Sequence, residues 1–208
     1  MKRVSGFTLI EVIVVIGIMS VISAIVLVNF PRFQRGAVVE KEAAKLALAM
    51  REAQSFSLAV REFNSAFNDD PFCLNIPVRF PGYGVYLAMS SPTVYTIFGD
   101  ATCSKQYDTF PVDETVKNIK IENKAKLGSL KGFNVGICSS GCALDEALVT
   151  YLRPGPSVFL TDNGGINSYD YFEISLTSCF PSLSNFFQFT NTFGSLILSI
   201  SSGARIVL

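Results

Sequence analysis

From Phe7 to Val28 the chain runs through 22 residues, FTLIEVIVVIGIMSVISAIVLV, with one charge among them, Glu11. Hydrocarbon offers no hydrogen bonds to a peptide backbone, so a stretch of this kind is stable there only as a helix that satisfies its own N–H and C=O groups. As a helix it would be about 33 Å long, enough to cross a bilayer core of roughly 30 Å. A removable secretory signal fits less well. Its apolar region is usually about 7–15 residues and ends in a small-residue cleavage site, whereas this run is longer, carries an acid near its start and is not directly followed by an A-x-A sequence. Lys2 and Arg3 flank one end and Arg32, Arg35 and Lys41 the other, so flanking charge does not set an orientation.

The apolar segment accounts for much of the composition. Hydrophobic residues are 49% of the chain and the mean hydropathy is +0.38, an excess concentrated in the first thirty residues. Formal charge is balanced, with 17 Lys and Arg against 17 Asp and Glu. There is no basic excess to drive counterion release from a nucleic acid, so strong nucleic-acid binding is not expected. The chain has no histidine, which excludes Ser-His-Asp and Cys-His sites and the usual His-containing zinc sites. Neither a GxxxxGK[ST] phosphate loop nor a GxGxxG turn occurs. The expectation is a non-enzymatic protein without cofactor or metal.

Glu11 is the informative residue in the segment. A charged side chain deep in hydrocarbon costs roughly 2.5–3.5 kcal/mol on insertion scales. Either it snorkels to the interface or it waits for a cationic partner.

The string GFTLIEVIVVIGIMSVIS after the short basic leader Met-Lys-Arg-Val-Ser-Gly closely resembles the prepilin signal of type IV pilins and type II secretion pseudopilins. In that resemblance Gly6 matches the residue before the prepilin-peptidase cut. Phe7 matches the new N-terminus, which the peptidase also N-methylates, and Glu11 matches the family's acid, used in subunit assembly. Loss of residues 1–6 would leave 15 basic against 17 acidic side chains. The resemblance implies four segments: a leader at 1–6, a transmembrane and filament-core helix at 7–30, its amphipathic continuation at 31–67, and a β-rich head at 68–208. The implied partners are prepilin peptidase, other pilins or pseudopilins, an inner-membrane assembly platform and, before assembly, membrane lipid. The implied location is the cytoplasmic membrane, crossed once with the head outside the cytoplasm, and then the pilus or pseudopilus.

Beyond Pro31, which can kink a helix or begin one, Val39, Ala43, Leu46, Met50, Ala53 and Val60 recur at helical spacing, with one polar slip at Ser57. Lys41, Glu42, Lys45, Arg51, Glu52, Arg61 and Glu62 are the charges around that stripe. The pattern predicts one long helix to about Phe63, stopped by Asn68, Asp69, Asp70 and Pro71. β-branched and aromatic runs between turn residues then predict strands at Cys73–Phe80, Tyr83–Met89, Thr93–Phe98, Val116–Glu122, Ala147–Leu152, Ser157–Leu160, Tyr171–Thr177 and Leu196–Ser201. Arg205–Leu208 could close a last hairpin. The predicted class is α+β, a long helix packed on an antiparallel head, as in pilins.

The head is similar, piece by piece, to H-type pseudopilins and FimT-like minor pilins. Met50-Arg51-Glu52-Ala53 follows their Leu-Arg-x-Ala-Arg core with Gln54 in place of the second arginine; Gly82-Tyr83-Gly84-Val85 follows a strand start, and Leu198 to Ile206 a closing hairpin that here keeps Arg205 alone. This implies a minor structural subunit. The alternative is a minor pilin that binds DNA or a surface ligand, for which Lys117, Lys120, Lys124 and Lys126 form the one basic cluster of the head.

Five cysteines follow the apolar segment: Cys73, Cys103, Cys138, Cys142 and Cys179. In an exported domain they would pair, leaving one over and fifteen two-bond connectivities. Cys73–Cys103 and Cys138–Cys142 are the favoured pairs. Asp162-Asn163-Gly164-Gly165 is ordinary turn chemistry and lacks the full pattern of a calcium loop. The Phe-rich stretch from Phe180 to Phe193 reads as core.

Overall fold

The computed structural model describes residues 7–69, 77–110, 112–122, 125–134, 136, 138–152, 157–162, 168–178, 184–192, 195–200 and 204–207; at 28–36, at 157 and from 177 onward only the backbone is described. The chain divides into two compact units, 1–37 and 38–208.

One helix, α1 (Leu9–Leu58), runs from the first unit into the second. It begins at Thr8, whose carbonyl and hydroxyl both accept from the Glu11 N–H. It continues through Pro31, which has no N–H to give to the carbonyl of Leu27.

The C-terminus of α1 lies earlier than the spacing predicts. The Val60 N–H bonds the Ser57 carbonyl at 3.3 Å and the Arg61 N–H bonds the Phe56 carbonyl at 3.1 Å. Val60 has φ 53°. This is a Schellman stop, with valine where glycine is usual. The apolar periodicity carried on to Val60 and Phe63, and no glycine announced the stop. Val60 is therefore not part of the buried stripe; it is exposed.

In the second unit, strands β1 (Gly82–Ala88), β2 (Val94–Asp100), β3 (Thr115–Lys120), β6 (Glu146–Leu152) and β7 (Ser157–Thr161) form a five-stranded sheet in the order β3-β2-β1-β6-β7. Strands β4 (Ala125–Phe133), β5 (Cys142–Leu144), β8 (Tyr171–Ser178), β9 (Ser184–Thr192), β10 (Ser195–Ile200) and β11 (Ala204–Val207) form a six-stranded sheet in the order β11-β10-β9-β8-β4-β5. Every ladder is antiparallel. The α+β class is as the sequence predicts.

Seven of the predicted strands reappear within a residue or two, and the Arg205 segment pairs with β10 as a final hairpin. Of the predicted Cys73–Phe80 strand only 77–80 is described, and there Val78 makes a single parallel bridge to Asn68. Three strands were not predicted. Two of them, β4 with its two glycines and two lysines and the three-residue β5, are poor in strand formers. The Phe-rich stretch supplies the third, β9, whose side chains lie outside the described residues.

One core joins the two sheets to α1. Val39, Ala43, Leu46, Met50 and Ala53 of the helix pack with Tyr83, Val85 and Leu87 of β1, Val149 and Tyr151 of β6, Leu127 and Leu130 of β4, and Phe172 and Ile174 of β8. Alternate residues of β1, β2 and β6 face this core, as strand geometry requires. At Gly84 no side chain is possible without rearrangement: a Cβ there would lie 2.6 Å from the Val149 carbonyl and 2.7 Å from the Phe98 ring.

Candidate functional site

The first unit holds the apolar segment with Phe7 and Glu11. From Leu9 to Leu27 the helix is 19 residues with mean hydropathy 2.8, and none of it is buried within the chain. Ile10, Ile13, Val14, Ile16, Met19, Val21, Ile25 and Leu27 are all more than half exposed. Apolar surface on every side of a helix needs an apolar surround, supplied by lipid or by other helices. The Ser20 hydroxyl donates to the Ile16 carbonyl at 2.8 Å, so this hydroxyl is satisfied within the helix itself.

Glu11 lies in the first turn of α1 and Phe7 precedes that turn, 84% exposed. Thr8 and Glu11 have the spacing of a capping box, in which an acid at this position also favours the positive end of the helix dipole. Glu11 is exposed and the side chains around it, Leu9, Ile10, Val12 and Ile13, are apolar and exposed too. Gly6 lies outside the described residues.

In the second unit, Glu42 departs from expectation. The sequence places it among the charges around the stripe, yet its side chain is fully buried. It follows Val39 by three residues and precedes Leu46 by four, so it shares their face. Its Oε1 accepts from Lys45 Nζ at 3.1 Å and its Oε2 from the Glu122 N–H at 3.3 Å; Lys45 also reaches Glu122 Oε2 at 2.9 Å. The hydrogen bonds to Glu122 and Glu42 raise the Lys45 pKa above its ordinary value, and the bond from Lys45 lowers that of Glu122. This cluster ties α1 to the turn after β3.

Two further buried acids, Asp100 and Glu114, open and close the connection between β2 and β3. Burial pushes the Asp100 carboxyl up to about 6 and the Glu114 carboxyl up to about 7. Neither stands out in the sequence, because each lies in a polar stretch that looks like a solvated turn.

Cys138 and Cys142 are bonded to each other, with their Cα atoms 5.4 Å apart. Cys103 is also disulfide-bonded, while Cys73 and Cys179 lie outside the described residues. In the basic cluster, Lys117 Nζ pairs with Glu52 at 3.3 Å, Lys120 and Lys126 are exposed, and Lys124 lies outside the described residues, as does the side chain of Arg205. Residues 163–165 of the Asp-Asn-Gly-Gly turn are outside them as well. Among the described residues, no three His, Cys, Asp or Glu side chains are grouped so as to hold a metal ion.

The family model for the prokaryotic N-terminal methylation motif matches residues 1–27. No curated protein and no solved structure matches the chain. The N-terminal segment is thus a type IV pilin-like prepilin signal on an exposed apolar helix, and the head stands on its own geometry.

Proposed function

We propose that the chain is a structural subunit of a type IV pilus or type II secretion pseudopilus, assembled through α1, and a minor rather than a major one. The observation that carries this is the methylation motif at 1–27 on a helix whose apolar surface is unburied on all sides. Prepilin peptidase would cut between Gly6 and Phe7 and methylate Phe7; lipid would hold the helix until the inner-membrane platform passes it to neighbouring subunits. The head then sits outside the cytoplasm, where disulfides persist, in keeping with the Cys138–Cys142 bond. Cys73 is the proposed partner of Cys103. The choice of a minor subunit of the H-type or FimT-like kind rests on the sequence pieces in the head alone.

Intact-mass analysis of membrane-extracted protein tests the reading. The expected species begins at methylated Phe7, and Gly6→Leu should block its appearance. A mature N-terminus anywhere else removes the assignment.

The alternative is a head that captures DNA or a surface ligand, for which Lys120 and Lys126 are exposed. Lys45 and Lys117 are each tied to acids, which leaves fewer cations for phosphate contacts.

A further inference from the structure

The two faces of the five-stranded sheet are covered differently. One packs on α1. On the other, the segment 101–110 folds back over the sheet. The Tyr107 ring lies 4.7 Å from Tyr86 of β1 and 5.6 Å from Phe98 of β2, its hydroxyl meets Thr115 Oγ1 at 2.6 Å, and Lys105 Nζ sits 4.9 Å from the Phe159 ring of β7. Phe98 is fully buried under this segment.

Hydrogen bonds to carboxyl groups hold the segment down. Glu114 Oε1 is 3.0 Å from both the N–H and the hydroxyl of Thr102, and its Oε2 accepts from the Asp108 N–H at 3.0 Å. The Thr102 hydroxyl is also 3.2 Å from Asp108 Oδ2, which takes a second contact from Ser104 Oγ at 2.8 Å. Asp100 Oδ2 accepts from the Lys105 N–H at 3.2 Å, while its Oδ1 is buried without a partner.

Proton counting makes this arrangement informative. The Thr102 hydroxyl has one hydrogen and stands between two carboxyl oxygens. If Glu114 and Asp108 are both ionised, the hydroxyl satisfies one of them fully and opposes a lone pair to the other. If Glu114 is a carboxylic acid, its O–H donates to Thr102 Oγ1, whose own hydrogen goes to Asp108 Oδ2, and every contact is a hydrogen bond. Glu114 is fully buried and Asp100 nearly so, so charge on both is unscreened.

We propose that segment 101–110 is a proton-latched strap over the outer face of the five-stranded sheet, closed while Glu114 carries a proton and loosened when Glu114 ionises. The groups that bear on the latch are Asp100 at the end of β2, Asp108, Lys105 and Tyr107 of the strap, and Tyr86 of β1 with its partner Glu146 of β6. Lys105, the one cation of the strap, is turned to Phe159. Burial raises the Glu114 carboxyl to about 7. A raised acid stabilises the closed form at low pH. That stabilisation is complete below the ordinary carboxylate range and is lost as pH rises through about 7.

Hydrogen exchange on the full-length chain in detergent micelles tests the latch, with each amide of 101–110 expressed as protection over its intrinsic rate at that pH. Closing weakens by roughly tenfold per pH unit between the ordinary and the raised value. Protection in the strap should therefore fall more than tenfold between about pH 5.5 and about pH 8 in the wild type and stay level in Glu114→Gln, which keeps a donor at every pH. Equal protection at the two pH values, or an equal fall in Glu114→Gln, overturns the proposal. A second measurement needs no variant. Infrared titration of the wild type should show a protonated-carboxyl C=O band that disappears near neutrality; if every such band has gone below about pH 5, in the ordinary carboxylate range, the latch does not exist.

Discussion

The Ser57 hydroxyl donates a 2.8 Å hydrogen bond to the main-chain carbonyl of Tyr151, 94 residues further along the chain. By periodicity Ser57 is a polar interruption in an apolar stripe, but it stays on that face, 2% exposed, because the last turn of α1 passes against β6. Phe56 packs edge-on to Tyr83 at 5.6 Å, and the Tyr83 hydroxyl reaches the Arg61 carbonyl at 3.0 Å just past the helix end. Together these contacts fasten the end of the helix to the sheet.

Ser57→Ala should cost about 1–2 kcal/mol, the net value of a buried hydrogen bond plus some of the desolvation of the carbonyl left behind. Denaturant melting of the detergent-solubilised chain measures it. A change within a few tenths of a kcal/mol would mean that the carbonyl finds another donor.

How far the sequence revealed the fold turns on where local and tertiary signals agree. The buried stripe was legible from Val39 to Ala53 because every member is apolar and periodic. Glu42 was not, because an acid on a helix is ordinarily solvated, and only the distant Glu122 N–H and Lys45 in place make its burial tolerable. The helix end was not legible because the stop falls on Val60. Left-handed φ costs a β-branched residue about 1–2 kcal/mol, so Val60→Gly should stabilise the head by up to about 1 kcal/mol once the entropy of glycine is set against that relief. A destabilised Val60→Gly chain would show that the valine is held by contacts outweighing its strain. The prepilin signal was fully legible, since it is a continuous string. The acids Asp100 and Glu114 come together only because β2 and β3 pair.

Gly84→Ala is predicted to be the more damaging change. The new methyl would sit 2.6 Å from the Val149 carbonyl in the adjacent strand, and neither that strand nor the buried Phe98 ring can retreat without opening the sheet. Overpacking of this kind costs typically about 1–3 kcal/mol. Thermal melting compared with the wild type reads the loss; an unchanged midpoint would mean that β1 and β6 can separate locally at little cost.

The thiol count follows from the bonds. With Cys138 joined to Cys142 and Cys103 also bonded, alkylation before reduction should label one of the five cysteines, and alkylation after reduction all five. Converting both Cys138 and Cys142 to serine should cost about 2 kcal/mol, because the bond spans four residues and small loops gain least in the chain-entropy model. Three labelled thiols before reduction would place only one bond in the native head.

Glu11 separates two physical roles that the geometry joins. Its N–H is capped by Thr8, and as the fourth residue of Thr8-Leu9-Ile10-Glu11 its side chain stands at the acid position of a capping box. As the one charge of the apolar segment it is proposed to pair with the Phe7 amine of a neighbouring subunit, a cation created at nearly its own depth by the cut after Gly6. An unpaired carboxylate in hydrocarbon costs roughly 2.5–3.5 kcal/mol, which the pairing would offset. Glutamine serves a capping box as well as glutamate but carries no charge. Glu11→Gln and Glu11→Ala should therefore both insert in the membrane, be processed to Phe7, and fail to enter filaments efficiently, as scored by immunoblot of sheared filaments against the membrane fraction. If Glu11→Gln incorporates normally and only Glu11→Ala is deficient, the acid acts as a cap. If both incorporate normally, the side chain takes no part in assembly and the pairing is wrong.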